Sequence, residues 1–358
     1  MDSSKLAQIK VGPELTVRDG LQRMDIQGEK ILFIVDEQER LIGTATDGDV
    51  RRWILGGGPL DATLGEAMYR TPTSIKIEKK PDKEEIRTIM ITRGIEYLPL
   101  VDGEERIVQV ISWRMISDRA FSLRKGEQCA IPVVVMAGGE GSRLSPYTRI
   151  LPKALIPVGD VPIVELIIER FIEFGCDEFY LSLHHKSEII KSYFESIERS
   201  YRLHYILEEK PMGTAGSLSL MRNSLRSTFF LSNCDILIDA DYGDILKFHK
   251  ENSHQITIVG SIKRITIPYG ICEISIDGQL TSLVEKPGFD YFVNTGMYVL
   301  EPPVLEKIAD GTVIDMTDLI TQLLAENEKI GVYPVSEKSW VDIGQLEGLH
   351  KLVKRIGT

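Results

Sequence analysis

The chain has 358 residues, of which 43% are hydrophobic and 27% charged, and a formal net charge of −11. That length suggests two or three domains with real cores, and the acidic balance argues against a nucleic-acid or anionic-membrane surface, which needs clustered Lys and Arg. The four cysteines, Cys129, Cys176, Cys234 and Cys272, show no zinc spacing; with no signal-like apolar core in MDSSKLAQIKVG and no apolar run of membrane length, they point to a cytoplasmic protein.

The first third carries an internal repeat. Residues 31–46 (ILFIVDEQERLIGTAT) match residues 97–112 (YLPLVDGEERIVQVIS), with Val35, Asp36 and Arg40 recurring 66 positions on as Val101, Asp102 and Arg106. Each copy predicts an apolar strand, an acidic turn, a second strand and a helix opening near Asp47 or Ser112, with another helix upstream, Val17 to Met24 or Lys83 to Thr92. Neither copy can bury enough surface alone, so the two are expected to pack together. The pattern resembles a tandem pair of CBS domains, taken here as residues 1–122. In that family a Gly-x-x-Ser/Thr-x-x-Asp run binds the phosphate and ribose of an adenine nucleotide. The first copy keeps Gly43, Thr46 and Asp49, whereas the second has Gln109 and Met115 in the outer places. A Met cannot accept a ribose hydroxyl as a carboxylate does, so the resemblance supports one complete site at most, at Thr46 and Asp49, and a homodimer or higher homo-oligomer through the pair. An equally open alternative is that Thr46 and Asp49 only cap a helix and complement its dipole.

Residues 123–131, which include the polar run RKGEQ, are the expected linker. Beyond them strand-like and helix-like segments alternate. IPVVVMA reads as a strand, VPIVELIIERFIEFG as a helix ending on Gly175, FYLSLHH as a strand and SEIIKSYFESIE as a helix opened by Ser187. LHYILEE, a helix from Ala215 to Ser224, and STFFLSNCD follow. The alternation argues for an α/β domain over residues 132–358, its sheet mostly parallel and covered by helices on both faces.

Such sheets place ligands beyond the C-terminal ends of their strands, which is where AGGEGSR falls. A P-loop would need Lys-Ser/Thr directly after its last Gly, but Ser142 and Arg143 follow Gly141. A dinucleotide fingerprint would need a third Gly where Leu144 stands, and Pro146 discourages the helix it opens. What remains is a glycine loop whose N–H groups can face phosphates, followed by two cations, Arg143 and Lys153; the plain alternative is a strand-to-helix turn.

The stretch GGEGSRLSPYTRILPKALIPV resembles the signature of the sugar-1-phosphate nucleotidyltransferases, GGxGxRLxPxTxxxPKxLxPV, and the resemblance continues to about residue 350. EEKPMGTAGSL resembles the family's base-side segment, PYGICEI, VEKP and VNTGMYVL its sugar-side segments, and SNCDILID and WVDIG place Asp235 and Asp342 at its metal positions. The implied reaction is attack of a sugar 1-phosphate on the α-phosphorus of a nucleoside triphosphate. The resemblance implies that Ala137, Gly138, Gly139 and Gly141 let the backbone approach the nucleotide, and that Glu208, Gly213 and Thr214 face base and ribose. Arg143 and Lys153 would hold the departing pyrophosphate, and Lys286 the sugar phosphate. Gly270, Glu285, Asn294 and Thr295 would meet sugar hydroxyls, and Asp235 and Asp342 would ligate Mg²⁺, a hard cation suited to carboxylates. Each residue alone also reads as a cap, turn former or solvated pair.

PMGTAG departs from the PLGTAG of mannose-1-phosphate guanylyltransferases only by a near-isosteric change, which makes GTP the expected donor. The CBS pair ahead of such a domain resembles the glucosamine-1-phosphate guanylyltransferases of bacterial legionaminic acid biosynthesis, implying GDP-glucosamine as product. Mannose 1-phosphate or another sugar 1-phosphate stays open as acceptor. A nucleotide-sensing protein with an inactive transferase domain is the reading from another class.

Overall fold

A computed structural model describes residues 3–93, 95–112, 115 and 129–344. The helix expected to run on from Ser112, residues 123–128 of the expected linker, and residues 345–358 lie outside the described residues. The chain divides into two compact units, Met1–Lys125 and Gly126–Thr358. Among the described residues no helix is long and apolar enough to cross a membrane.

In the first unit the chain runs α1 (Ser3–Ile9), β1 (Lys10–Val11), α2 (Val17–Gln27), β2 (Ile31–Val35), β3 (Leu41–Thr46), α3 (Asp47–Leu55) and α4 (Leu64–Ala67). It then repeats the scheme as β4 (Ile75–Lys76), α5 (Lys83–Arg93), β5 (Tyr97–Val101) and β6 (Ile107–Ser112). Each copy builds a three-stranded sheet with one parallel and one antiparallel pairing. The copies agree in register, Ile31 facing Thr46 and Tyr97 facing Ser112, and in the bulge before Val35 and Val101. The turn chemistry explains that agreement. Asp36 Oδ1 accepts the Arg40 backbone N–H at 2.9 Å, and Asp102 Oδ1 accepts that of Arg106 at 2.9 Å, so an Asx-type turn sets both hairpins. The two copies lean on each other, since the Leu41 N–H donates to the Glu105 carbonyl at 2.9 Å and the Tyr97 hydroxyl donates to Glu29.

The second unit is built on a seven-stranded sheet. Its elements are β7 (Val133–Met136), α6 (Tyr147–Ile150), β8 (Pro157–Val158), β9 (Val161–Pro162), α7 (Ile163–Glu173), β10 (Glu178–Leu183), α8 (Ser187–Glu195), β11 (Arg202–Leu207), α9 (Gly213–Gly216), β12 (Phe229–Asn233) and β13 (Ile236–Ile238). There follow α10 (Tyr242–Glu251), β14 (Ile256–Thr266), β15 (Ile271–Ile274), β16 (Leu280–Val284), β17 (Gly288–Leu300), α11 (Met316–Ala325), β18 (Ile330–Val335) and β19 (Trp340–Asp342). The strand order is β11-β10-β7-β12-β17-β14-β18, with only β17 running against the rest. The α/β class and mostly parallel sheet expected from the alternation are what the chain forms.

The VVV run of β7 is buried on both faces, as a central parallel strand should be. Val133 and Val135 join a core with α7, α8 and α10, while Val134 joins a second core with the 215–225 segment and α11. The expected helix from Ala215 to Ser224 does not form as one piece. It is a single turn followed by a 3₁₀ stretch over Ser217–Met221. Gly213 is left-handed, with φ +76°, and the Ser219 hydroxyl donates to the Gly216 carbonyl at 2.7 Å. Serines that bond the local backbone compete with a regular helix.

Candidate functional site

The glycine loop leaves β7 at the C-terminal edge of the sheet. The Ala137 N–H donates to the Ser182 carbonyl at 2.9 Å, which carries the pairing one residue past the strand. A Cβ on Gly138 would lie 3.0 Å from Glu208 Oε1 and 3.3 Å from His184 Cβ, whereas one on Gly139 would meet nothing within 4 Å. Gly138 is thus shut in by its neighbours, whereas Gly139 faces open space. Gly141 has φ +65°, and a Cβ there would stand 2.9 Å from both Lys153 Cβ and Thr148 Cγ2, so only glycine fits. The next turn, Ser142–Leu144, is 3₁₀ and pinned by buried Leu144. It presents Arg143 exposed, with no ion pair among the described residues.

Lys153 opens a second 3₁₀ turn whose Ala154 and Leu155 are buried. Its ammonium reaches Asp235, forming an ion pair in which both side chains are largely buried, 16% and 10% exposed. Asp235 follows β12, where the loop to β13 begins. Antiparallel pairing of β13 with β19 sets Ile236 opposite Asp342, and the Ile343 N–H donates to the Asp235 carbonyl at 2.8 Å. Two aspartates 107 positions apart thereby share one space. A Cβ on Gly344 would lie 2.5 Å from Asp235 Oδ2 and 2.8 Å from Asp342 Oδ1. Among the described residues no three His, Cys, Asp or Glu gather as a metal cluster. A pair of carboxylates beside an open phosphate loop is nonetheless the donor set Mg²⁺ takes, because it binds through one or two carboxylates and completes its shell with phosphate oxygens and water. Burial pushes the neighbouring Cys234 thiol up to about 12, which favours its protonated form.

In the segment expected to face the base, buried Glu208 accepts the Ser182 hydroxyl at 2.7 Å and the Met212 N–H at 3.1 Å. It braces the 212–216 loop against β10. The Ala215 and Gly216 N–H groups donate to the Ile314 carbonyl, and a Cβ on Gly213 would strike that oxygen at 2.5 Å. Thr214 donates to Asp315 Oδ1 from its N–H at 2.9 Å and its hydroxyl at 3.2 Å, and its hydroxyl accepts the Met316 N–H at 2.9 Å. The loop is therefore riveted to the entry of α11.

In the segments expected to meet the sugar, Gly270 lies so close to the end of β16 that a Cβ would meet Glu285 Oε2 at 2.9 Å. Lys286, with φ +46°, is 65% exposed, and its ammonium lies 4.0 Å from Glu285 Oε1. The Asn294 amide donates to the Tyr298 hydroxyl at 2.7 Å, and the Gly296 N–H donates to Asn294 Oδ1 at 3.0 Å. Thr295 is buried, its hydroxyl donated to the Val259 carbonyl at 2.7 Å. Its side chain is turned to the neighbouring strand β14. Gly138, Gly141, Lys153, Glu208, Asp235 and Asp342 are brought into one connected set. Glu285 and Lys286 follow β16 at the base of the β15–β16 hairpin, where the Lys286 N–H donates to the Tyr269 carbonyl at 3.2 Å. Thr46 and Asp49 lie in the first unit, where they form a reciprocal capping box at the start of α3: the Asp49 N–H donates to Thr46 Oγ1 at 3.2 Å and the Thr46 N–H donates to Asp49 Oδ2 at 2.8 Å.

This edge is matched by the family model described as nucleotidyl transferase, over residues 132–357. The chain belongs to that family. A CBS-domain model matches residues 8–56. Among curated relatives, a UTP–glucose-1-phosphate uridylyltransferase of Synechocystis sp. is 28% identical over 244 residues, 62% of each chain. The catalytic subunit beta of mannose-1-phosphate guanylyltransferase of Dictyostelium discoideum is 28% identical over 59% of this chain and 60% of its own. The match thus spans about 60% of those relatives' length. The crystal structure of HddC from Yersinia pseudotuberculosis shares the fold at 23% identity and a TM-score of 0.50, covering 63% of this chain and 99% of its own.

Three residues of this nucleotidyl transferase domain escaped sequence reasoning. Asp315 anchors Thr214 from 101 positions away. Lys186 holds the loop's far side, its ammonium donating to the Thr148 and Arg149 carbonyls at 2.7 and 2.8 Å. Asn233 packs its amide directly against Gly296. No local pattern marks the first two, whereas Asn233 could have been found as the last residue of a strand entering Asp235. His184 and His185 sit just past β10, as expected of a strand end.

Proposed function

We propose that the second unit joins a nucleoside triphosphate to a sugar 1-phosphate, releasing pyrophosphate and forming an NDP-sugar. The observation that carries this reading is the convergence of Asp235, Asp342 and Lys153 beneath an open glycine loop. No base or nucleophile is required. A phosphate monoester, with a second pKa of about 6, is already largely dianionic at pH 7. Its oxygen forms a new bond to the α-phosphorus while the bond from that phosphorus to the bridging oxygen breaks, and the electron pair leaves with pyrophosphate. The obstacle is bringing polyanions together, so catalysis is positioning and charge neutralisation. Arg143 and Lys153 take the triphosphate, and Lys286 the sugar phosphate. Glu285, Asn294 and the Gly270 backbone face the sugar, with Thr295 as a buried support. Glu208, Gly213 and Thr214 shape the base side. Asp235 and Asp342 would hold Mg²⁺, which would supply further positive charge to the phosphates.

The donor we assign is GTP, supported by the PMGTAG segment and by relatives named mannose-1-phosphate guanylyltransferase. The acceptor we assign is glucosamine 1-phosphate, as a step toward a legionaminic-acid type surface sugar, supported by the repeat unit ahead of the transferase domain. For that unit we infer a scaffold that pairs copies of the chain, because Thr46 and Asp49 already satisfy one another. An adenine nucleotide at those residues is the alternative, and heat on titration with AMP or ATP would establish it. The buried free thiols of Cys129, Cys176 and Cys234 suit a reducing cytoplasm.

The test is direct. Protein and Mg²⁺ are incubated with each nucleoside triphosphate and a panel of hexose and hexosamine 1-phosphates, and pyrophosphate is followed. Release with GTP and glucosamine 1-phosphate is expected, lost by 100-fold or more in Arg143→Ala or Asp235→Asn with unchanged melting. Release with no pair would favour a sensing protein, and wild-type rates in either variant would remove the site assignment.

A further inference from the structure

Lys153 makes its one ion pair among the described residues with Asp235, one of the two carboxylates assigned to the metal. Resting on the proposed function, we propose that Lys153 is a stand-in cation for that metal, so that a divalent ion alone binds poorly and a nucleotide must first draw the lysine away. The geometry requires some cation there. Asp235 is 7% exposed and shares its space with Asp342, both facing the point a Gly344 Cβ would occupy. Two negative charges so placed repel each other, and a cation beside them relieves that repulsion. Lys153 is anchored to move between partners and not to drift. Its backbone is fixed by the buried Ala154 and Leu155, and its Cβ packs under Gly141. The flexible four-carbon stem, which starts directly below the phosphate loop, therefore reaches from one fixed root either down to Asp235 or up to a triphosphate held by Gly139 and Arg143.

The consequence is thermodynamic. The lysine's contact with Asp235 must be given up when the metal arrives, which lowers the metal's affinity for the free protein. Nucleotide phosphates offer the ammonium a second anionic partner and remove that competition. Metal and nucleotide then each tighten the other by the same factor, as linkage demands. In a protein that handles anions at an acidic surface, this also keeps the site from holding a divalent ion without substrate.

The experiment uses Mn²⁺ as probe, counted as protein-bound ion by equilibrium dialysis across a membrane that passes free Mn²⁺ and its nucleotide complex, with the full chain and no sugar phosphate, so that no turnover occurs. Wild type should bind Mn²⁺ weakly alone and at least tenfold more tightly with GTP present. Lys153→Met should bind Mn²⁺ alone about tenfold more tightly than wild type and gain less from GTP. Lys153→Arg, which keeps the charge, should bind Mn²⁺ alone as weakly as wild type; circular dichroism and melting confirm that each variant is folded. Nucleotide-promoted Mn²⁺ binding in wild type, with Lys153→Met no tighter than wild type for Mn²⁺ alone, overturns the stand-in while leaving the metal site. Absence of Mn²⁺ binding in every protein, with GTP or UTP present, removes the metal site itself and this inference with it.

Discussion

Gly344→Ala tests the two-carboxylate centre without touching a charged group. The new Cβ would lie 2.5 Å from Asp235 Oδ2 and 2.8 Å from Asp342 Oδ1. Real Cβ atoms essentially never come within 3.0 Å of another heavy atom, and ordinary contact begins at 3.4 Å, so the Asp235 oxygen must retreat by at least 0.5 Å and by nearly 1 Å to rest comfortably. Neither carboxylate is free to do so. In the free protein Asp235 is held by Lys153, and Asp342 Oδ1 accepts the Gly344 N–H at 2.7 Å; with substrates bound, the metal would hold Asp235 in the lysine's place. Misplacing a catalytic group by about 1 Å costs roughly 100-fold in rate, and an added methyl in a packed site costs about 1–3 kcal/mol of stability. Pyrophosphate release at saturating substrates and Mg²⁺ should therefore fall about 100-fold, while Mn²⁺ binding in the presence of GTP weakens and the melting temperature drops by only a few degrees. Gly103→Ala, where a Cβ meets nothing within 4 Å, serves as the neutral control. A Gly344→Ala enzyme turning over within about threefold of wild type would refute the placement of both aspartates.

Two further outcomes follow from contacts away from the carboxylates. Thr214→Val removes the hydroxyl that accepts the Met316 N–H and donates to Asp315; a loss of about 1 kcal/mol in chemical denaturation and a raised KM for the nucleotide with a smaller change in kcat are expected, and an unchanged KM would detach this loop from the base side. His249 is buried, with its ring nitrogens on Thr257 at 2.8 Å and Glu301 at 3.1 Å, and His254 touches the same Thr257 hydroxyl. Burial holds the His249 imidazole below its ordinary value, opposed by the hydrogen bond and charge of Glu301, with His254 and Lys250 pushing it lower. The unfolded chain then binds more protons than the native one, so this stability is complete above about pH 6.5 and is lost as pH falls through the lower folded value. The melting temperature of wild type relative to His249→Gln should fall between pH 8 and pH 5, and a constant difference would refute the assignment.

Local chemistry was legible in the sequence wherever a few neighbouring residues decide the outcome. The doubled hairpins are an example, because Asp36 and Asp102 each set a turn with the backbone four residues on. The run from β7 into Gly138 and Gly141 is another, because valine repeats demand burial and these two glycines leave little or no room for a side chain. Periodicity placed α7 and α8, but it mistook the stretch after Ala215 for a helix. There, contacts with the Ile314 carbonyl, a hundred positions away, outweigh propensity.

By itself, then, the order of residues determined the repeat, the alternation that builds the sheet, the glycine loop after β7 and the residue types at the candidate site, since all of these follow from short-range sterics and hydrogen bonding. Only the tertiary structure decided which of those residues meet. The β13–β19 pairing brings Asp342 to Asp235, the Lys153 side chain joins them, and Asp315 is delivered to Thr214. Thr295 is turned inward to Val259 although it lies beside Asn294 in the chain. Such meetings are settled by which apolar faces bury against the sheet, a property of the whole fold that no short stretch of sequence contains.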